Sequence, residues 1–292
     1  AFEAAKDMED AYEQVSVLDR IAAEHAMAGE FPQAEEVSKT IDELYTKAAA
    51  ADRLADVYLA SGQWDEAVKA ARKIESPYTR VFALARISTA AMKAGYGERA
   101  LKVLQEAGAL AESMEDPGNR AAAMVRIVEA YEDIGRHDDA LAIANKIEEP
   151  PSKNSALLMV AEGYANSGKY EKGIEVGETI EDPYYKALAL NEVARAYSKG
   201  GDSAKAKETF DRAWETAKDV GDAYTRADAL AEISTGYAES GNYEDALKVA
   251  ESIEDDYNKG TALYRITWWQ LEEGQKEPAR KGAESIEDAY YR

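Results

Sequence analysis

Eight glycines stand at almost constant spacing along this chain: Gly29, Gly62, Gly95, Gly135, Gly168, Gly201, Gly241 and Gly274. The intervals are 33, 33, 40, 33, 33, 40 and 33 residues. A period of this size marks a repeat array, in which each unit buries its apolar side only against its neighbours. A chain of 292 residues built this way grows by units instead of closing around one core. Its useful surface is then an extended face more than a single pocket.

Within a unit the apolar spacing is helical. Residues 227–253 read ADALAEISTGYAESGNYEDALKVAESI, with Leu230, Ile233 and Tyr237 before Gly241 and Ala246, Leu247, Ala250 and Ile253 after it. This predicts a helix, a turn centred on glycine, and a second helix, the glycine taking the left-handed conformation at a helix C-terminus. The joints between units carry helix-start chemistry: Ser76-Pro77, Asp116-Pro117 and Asp182-Pro183 set a capping side chain before a proline. Acidic pairs such as Glu9-Asp10, Glu181-Asp182 and Glu254-Asp255 fall at the same starts, where the helix dipole favours them. A basic residue follows in Lys47, Arg80, Arg120, Lys186 and Arg226. Helix initiation therefore accounts for the recurring acidic signature without a ligand.

The units run 9–41, 42–74, 75–114, 115–147, 148–180, 181–220, 221–253 and 254–286. Units 75–114 and 181–220 each place seven extra residues in the second helix, roughly two turns or about 10 Å. They lie 106 residues apart, so the larger unit is a triplet duplicated in tandem. Both chain ends fall in mid-repeat: Ala1-Phe2 aligns with Ala246-Leu247, and the final EDAYYR repeats EDPYYK at 181–186. That pattern reads as a fragment of a longer array, with degenerate terminal units as the alternative.

Helix–turn–helix units of 33 to 40 residues, with tyrosine in helix one, glycine at the turn and alanine in helix two, resemble the tetratricopeptide repeat. Tyr58, Tyr131, Tyr164, Tyr197 and Tyr237 stand at the helix-one aromatic. Ala34, Ala67, Ala100, Ala140, Ala206, Ala246 and Ala279 stand at the small helix-two position, with Gly173 in the remaining unit. Phe31, Trp64, Tyr170 and Tyr243 supply the aromatic after the turn. Essentially the whole chain is covered, and the resemblance implies an all-α, right-handed α-α superhelix of about eight such repeats. One departure stands out. The motif expects a large residue followed by a small one in helix two, as in Leu104 and Ala107 or Phe210 and Ala213. Ala71 and Ile74, Ala144 and Ile147, and Ala250 and Ile253 reverse that order, which predicts an altered superhelical pitch.

Charge and composition exclude several activities. Net charge is −22, against the clustered Lys and Arg that nucleic acid or an anionic membrane surface requires. Cysteine is absent, so disulfides, thiolate metal sites and cysteine nucleophiles are excluded. No apolar run reaches the length of a membrane span, and the first residues carry no signal-peptide pattern. This favours a cytoplasmic protein, with an exported one whose leader has been removed as the alternative. The only histidines, His25 and His137, replace the helix-one tyrosine and the aromatic after the turn. Each is most simply a packing substitute, and their separation argues against a shared metal. No glycine-rich phosphate loop is present. The sequence therefore predicts a protein that is not an enzyme and uses neither metal nor cofactor.

The resemblance implies that exposed helix-one residues line a concave groove. They are Asp52, Asp56, Phe82, Met92, Val125, Glu129, Glu132, Leu158, Glu162, Leu188, Arg195, Tyr264 and Trp268. An apolar middle flanked by carboxylates suits a protein or peptide segment carrying apolar anchors and Lys or Arg. The basic clamp that the family uses for C-terminal carboxylates is not reproduced here. Trp268 and Trp269 form either a partner hot spot or, more simply, core awaiting a following helix. The expected function is a non-catalytic protein-interaction scaffold, with the open array ends offering surfaces for self-association. Three alternatives stand beside it: a sensor array from a larger signalling protein, a structural or cell-surface array, and a helical toroid enzyme.

Overall fold

The helical period predicted from the sequence is realised in the computed structural model, which describes residues 1–6, 8, 11–44, 55, 58–59 and 61–286. Sixteen helices occur among the described residues. The chain divides into two compact units, Ala1–Ser152 and Lys153–Arg292.

In the first unit α1 (Phe2–Lys6) leads to α2 (Ala11–Met27) and α3 (Phe31–Leu44). Then come α4 (Trp64–Arg72), α5 (Pro77–Lys93), α6 (Gly97–Glu112), α7 (Pro117–Asp133) and α8 (His137–Ala144). Helix α9 (Pro150–Asn166) begins at the end of this unit. The second unit continues with α10 (Tyr170–Glu178), α11 (Pro183–Lys199), α12 (Ser203–Ala217) and α13 (Ala223–Glu239). It closes with α14 (Tyr243–Glu251), α15 (Asp256–Glu272) and α16 (Lys276–Ser285).

Seven first helices, α2, α5, α7, α9, α11, α13 and α15, are each 17 residues long and stop two residues before a turn glycine. All eight turn glycines have φ between +70° and +91°. At Gly201 the reason is explicit. Asp202 N–H donates to Tyr197 C=O at 3.0 Å and Gly201 N–H to Ser198 C=O at 3.0 Å, a closure that needs the left-handed backbone. The predicted caps are formed as well: Ser76, Asp116, Asp182 and Asp255 each accept from a backbone N–H in the first turn, and so does Asp222, which the sequence reading did not name. Second helices α6 and α12 run 16 and 15 residues, against 8 or 9 in α4, α8, α10 and α14. Helix α3 also runs long, at 14 residues, and passes the expected unit edge at 41.

First helices α5, α7, α11, α13 and α15 each pack on the second helix that follows and on the second helix before, and α5 on α7, α11 on α13 and α13 on α15 join first helices side by side. Small residues permit the close approach. The helix-two alanines are buried, and a Cβ at Gly173 would lie 2.8 Å from the Ala161 carbonyl oxygen. The helix-one tyrosines are buried beside them, Tyr237 through a hydrogen bond from its hydroxyl to Asp211 at 2.5 Å.

The reversed large-and-small order has a different origin from the one expected. Helices α4, α8 and α14 end at Arg72, Ala144 and Glu251, so Ile74, Ile147 and Ile253 lie beyond them, in the joint. Ile180, Val220 and Ile286 occupy the equivalent places, and all six are buried. They plug the core between one repeat and the next. The basic residue six positions later closes the joint. Arg80 donates to the Ile74 carbonyl at 2.7 Å, Arg120 to Met114 at 3.0 Å and Arg226 to Val220 at 3.0 Å. These guanidinium groups satisfy carbonyls that a helix end leaves without partners.

Candidate functional site

Two of the proposed groove residues, Asp52 and Asp56, lie outside the described residues. The others occupy the first-helix faces of the two units.

In the first unit, Phe82 on α5 stacks against Tyr78 with ring centroids 4.6 Å apart. From α7 the Arg126 guanidinium lies over the Phe82 ring at 5.8 Å and pairs with Glu129 at 2.6 Å. Phe82 and Glu129 are thereby brought together through an arginine the sequence reading passed over. Met92 on α5 and Val125 on α7 are half-buried. Glu132 is engaged at the turn instead: its carboxylate meets His137 Nδ1 at 2.7 Å, and both side chains are largely enclosed. His25 makes the same kind of contact with Glu30 at 2.7 Å. Both histidines therefore hydrogen-bond across a turn, beyond merely filling space.

The second unit holds the more developed site. A cleft of about 400 Å³ is lined by Arg195 from α11, Glu232, Thr235 and Glu239 from α13, and Tyr264, Arg265, Trp268 and Trp269 from α15. Three of the proposed residues, Arg195, Tyr264 and Trp268, meet here. Tyr264 and Trp268 are 48% and 44% exposed. Trp269 meets Trp268 edge-on, centroids 4.9 Å apart, and packs against the core. Both rings thus line the cleft, Trp268 the more exposed and Trp269 also packed against the core. Leu158, Glu162 and Leu188, on α9 and α11, are half-buried.

The electrostatics differ from the predicted carboxylate rim. Arg195, only 14% exposed, reaches Glu239 at 2.6 Å and Glu192 and Glu232 at 3.6 Å. Arg265 pairs with Glu232 at 2.6 Å and approaches Thr235 at 3.5 Å. Two arginines therefore offset most of the charge of Glu192, Glu232 and Glu239. The proton affinity of Glu192 is raised, first by burial and then by the like charges of Glu162 and Glu239, against the opposing pull of Arg195. Glu232, Thr235, Glu239 and Arg265 were not singled out from the sequence. A signal was present: Arg195, Thr235 and Trp268 each stand six residues before a turn glycine, so one register position lines the cleft in three successive repeats.

Among the described residues no helix is long and apolar enough to cross a membrane. The tetratricopeptide repeat family matches residues 50–73. A search of the curated proteins finds no match to this sequence. Among solved structures, the chain is similar to a protein of Thermococcus onnurineus, at 19% identity and a TM-score of 0.39, over 99% of this chain and 91% of that one. It is also similar to a signal-transduction ATPase with numerous domains and a tetratricopeptide repeat sensor from Pyrococcus horikoshii, at 17% identity and a TM-score of 0.37. That match covers 98% of this chain and 48% of the ATPase, so the chain spans about half of its length. A Rap protein complexed with competence and sporulation factor is similar at 16% identity and a TM-score of 0.39, over 94% and 87% of the two chains.

Proposed function

We propose that this chain, an all-α array of tetratricopeptide-like helical repeats, is a non-catalytic scaffold that binds protein segments on its first-helix faces. Repeats of this type typically mediate protein–protein interaction or sensing. The observation that carries the proposal is the cleft of α11, α13 and α15, where the partly exposed rings of Tyr264 and Trp268 stand beside fixed ion pairs. Exposed aromatics beside ordered charges are what a protein partner buries at the centre of an interface. A catalytic reading would need polar groups left ready to move a proton or attack a substrate. In this cleft Arg195, Arg265, Glu232 and Glu239 are committed to one another.

The partner is a segment with apolar anchors and basic residues, because the carboxylates of the chain far outnumber its cations, 57 Asp and Glu against 35 Lys and Arg. The immobilised chain should retain such a protein from native extract, identified by mass spectrometry and remeasured with the purified components. Replacing both Phe82→Ala and Leu158→Ala, with helicity by circular dichroism unchanged, is expected to weaken that binding. Retention of full affinity would move the site off α5 and α9.

A further inference from the structure

One apolar plug fills each joint between repeats, and the joint after α6 departs from the rest. Ile74, Ile147, Ile180, Val220, Ile253 and Ile286 are buried, while Met114, at the same place in its repeat, is half-buried. Arg120 still holds the Met114 carbonyl at 3.0 Å, so the backbone of this joint is latched and its side-chain packing is open. The space left is a pocket of about 390 Å³. Its walls are Pro77 and Tyr78 at the start of α5, Leu110 near the end of α6, Met114 itself, and Glu115 and Asp116 just before α7. All of them belong to one compact unit, and the chain continues in both directions.

A shift of 106 residues gives the counterparts in the second triplet: Thr216 for Leu110, Val220 for Met114 and Gly221 for Glu115. Thr216 turns its hydroxyl back to the Arg212 carbonyl at 2.8 Å, and Val220 is buried. Tyr184, the counterpart of Tyr78, donates to Asp228 at 2.8 Å, where the first triplet has Ala122. Tyr78 instead lies against Phe82, ring centroids 4.6 Å apart. One backbone plan thus carries a joint with its plug buried and, in its duplicate, a joint with an apolar opening.

The lining of the pocket specifies an occupant. Leu110, the Tyr78 ring and the Met114 thioether form a wall that suits an aromatic side chain. Among the described residues no lysine or arginine lines it, and its two charged groups are both carboxylates. Asp116 is taken up in capping α7, where it accepts from Asn119 N–H at 2.7 Å. Glu115 is exposed and in no ion pair among the described residues. A cation beside an aromatic anchor complements this arrangement, and an anion opposes it.

We propose that the Met114 pocket receives an aromatic side chain of a partner protein segment, with an adjacent Arg or Lys meeting Glu115. The inference rests on the scaffold reading and adds an anchoring pocket at a repeat joint.

The test uses the whole chain, with its six methionines isotope-labelled at the methyl group. The probes are three capped tetrapeptides: Gly-Trp-Arg-Gly, a twin with Glu in place of Arg and a twin with Ala in place of Trp. By nuclear magnetic resonance the Met114 methyl, assigned by its loss in Met114→Val, should move saturably with the first peptide. The alanine twin should bind roughly tenfold more weakly or worse, and the glutamate twin should also be weaker. Leu110→Thr takes the residue that the second triplet already carries, and should weaken the first peptide roughly fourfold. Glu115→Gln should abolish the preference for Arg over Glu. An unmoved Met114 methyl, equal binding of the three peptides, or full affinity in Leu110→Thr would overturn the proposal. So would a Met114 methyl that moves with chain concentration alone, since the pocket would then belong to a second copy. Native-partner binding lost in the Phe82 and Leu158 variant but intact in Leu110→Thr, with the Met114 methyl unmoved by peptide, would remove this inference and leave the scaffold reading standing.

Discussion

At the scale of single residues, the repeat is held by side chains too small or too specific to exchange. Gly201 takes φ +87°, and alanine there should cost about 1 kcal/mol. Gly173→Ala should cost more, about 2 kcal/mol, because its Cβ would meet the Ala161 backbone instead of yielding side chains. Chemical denaturation of the two variants checks the order. Burial and then Asp211 raise the proton affinity of the Tyr237 hydroxyl, and burial and then Glu273 push Tyr243 up to about 12. A phenol whose folded value lies above its ordinary 10 supports the fold below pH 10 and withdraws that support as pH rises towards the folded value. Stability should therefore fall between about pH 10 and 12, and phenolate absorbance should show tyrosines that ionise only as the helices melt. A fully ionised tyrosine set on a still-folded chain would contradict this. These residue-level features were legible early because a turn glycine or a helix-one tyrosine repeats at a visible period.

At the scale of elements, the caps were legible and the joints only half so. Asp182 accepts from Tyr184 and Tyr185 N–H at 2.9 and 3.3 Å, and Asp182→Ala should lower stability by about 1 kcal/mol. The basic residue after the caps, Arg80, Arg120 and Arg226 among them, was noticed in the sequence as a companion of the acidic pair. Its task, holding the carbonyl of the plug before the cap, needs the chain to turn back on itself. Arg226→Met keeps the stem and removes the donor to Val220, and should cost about 1 kcal/mol. Hydrogen exchange at the start of α13 should quicken in that variant, and unchanged protection would deny the latch. The isoleucine plugs were misassigned to helix two for a related reason. Helices α4, α8 and α14 end where the next first helix must begin, and no local propensity marks that point.

For the whole molecule, charge is the governing quantity. Ion pairs between second helices, such as Arg72 with Glu106 at 2.6 Å and Arg212 with Glu178 at 2.5 Å, recur 34 residues apart. They are exposed, and each contributes little. The excess of carboxylates outweighs them, so screening should relieve self-repulsion. Raising salt from about 0.05 to 0.5 M should raise the melting temperature while weakening a basic partner. Opposite signs in the two measurements are the expected result, and a partner affinity indifferent to salt would remove the electrostatic part of the recognition.

The sequence by itself determined the repeat, the turn conformation and the caps. Each depends on residues within one turn of each other, and periodicity displays it directly. The tertiary structure decided what a face presents. Arg195 looked like one groove residue among carboxylates until α13 placed Glu232 and Glu239 around it. Trp268 and Trp269 looked like one pair until packing laid Trp269 against the core as well as the cleft and left Trp268 exposed on the cleft. Which residues of one helix meet which of the next depends on the stagger between helices tens of residues apart. That stagger is set by how small side chains such as Gly173 and Ala231 let two backbones approach.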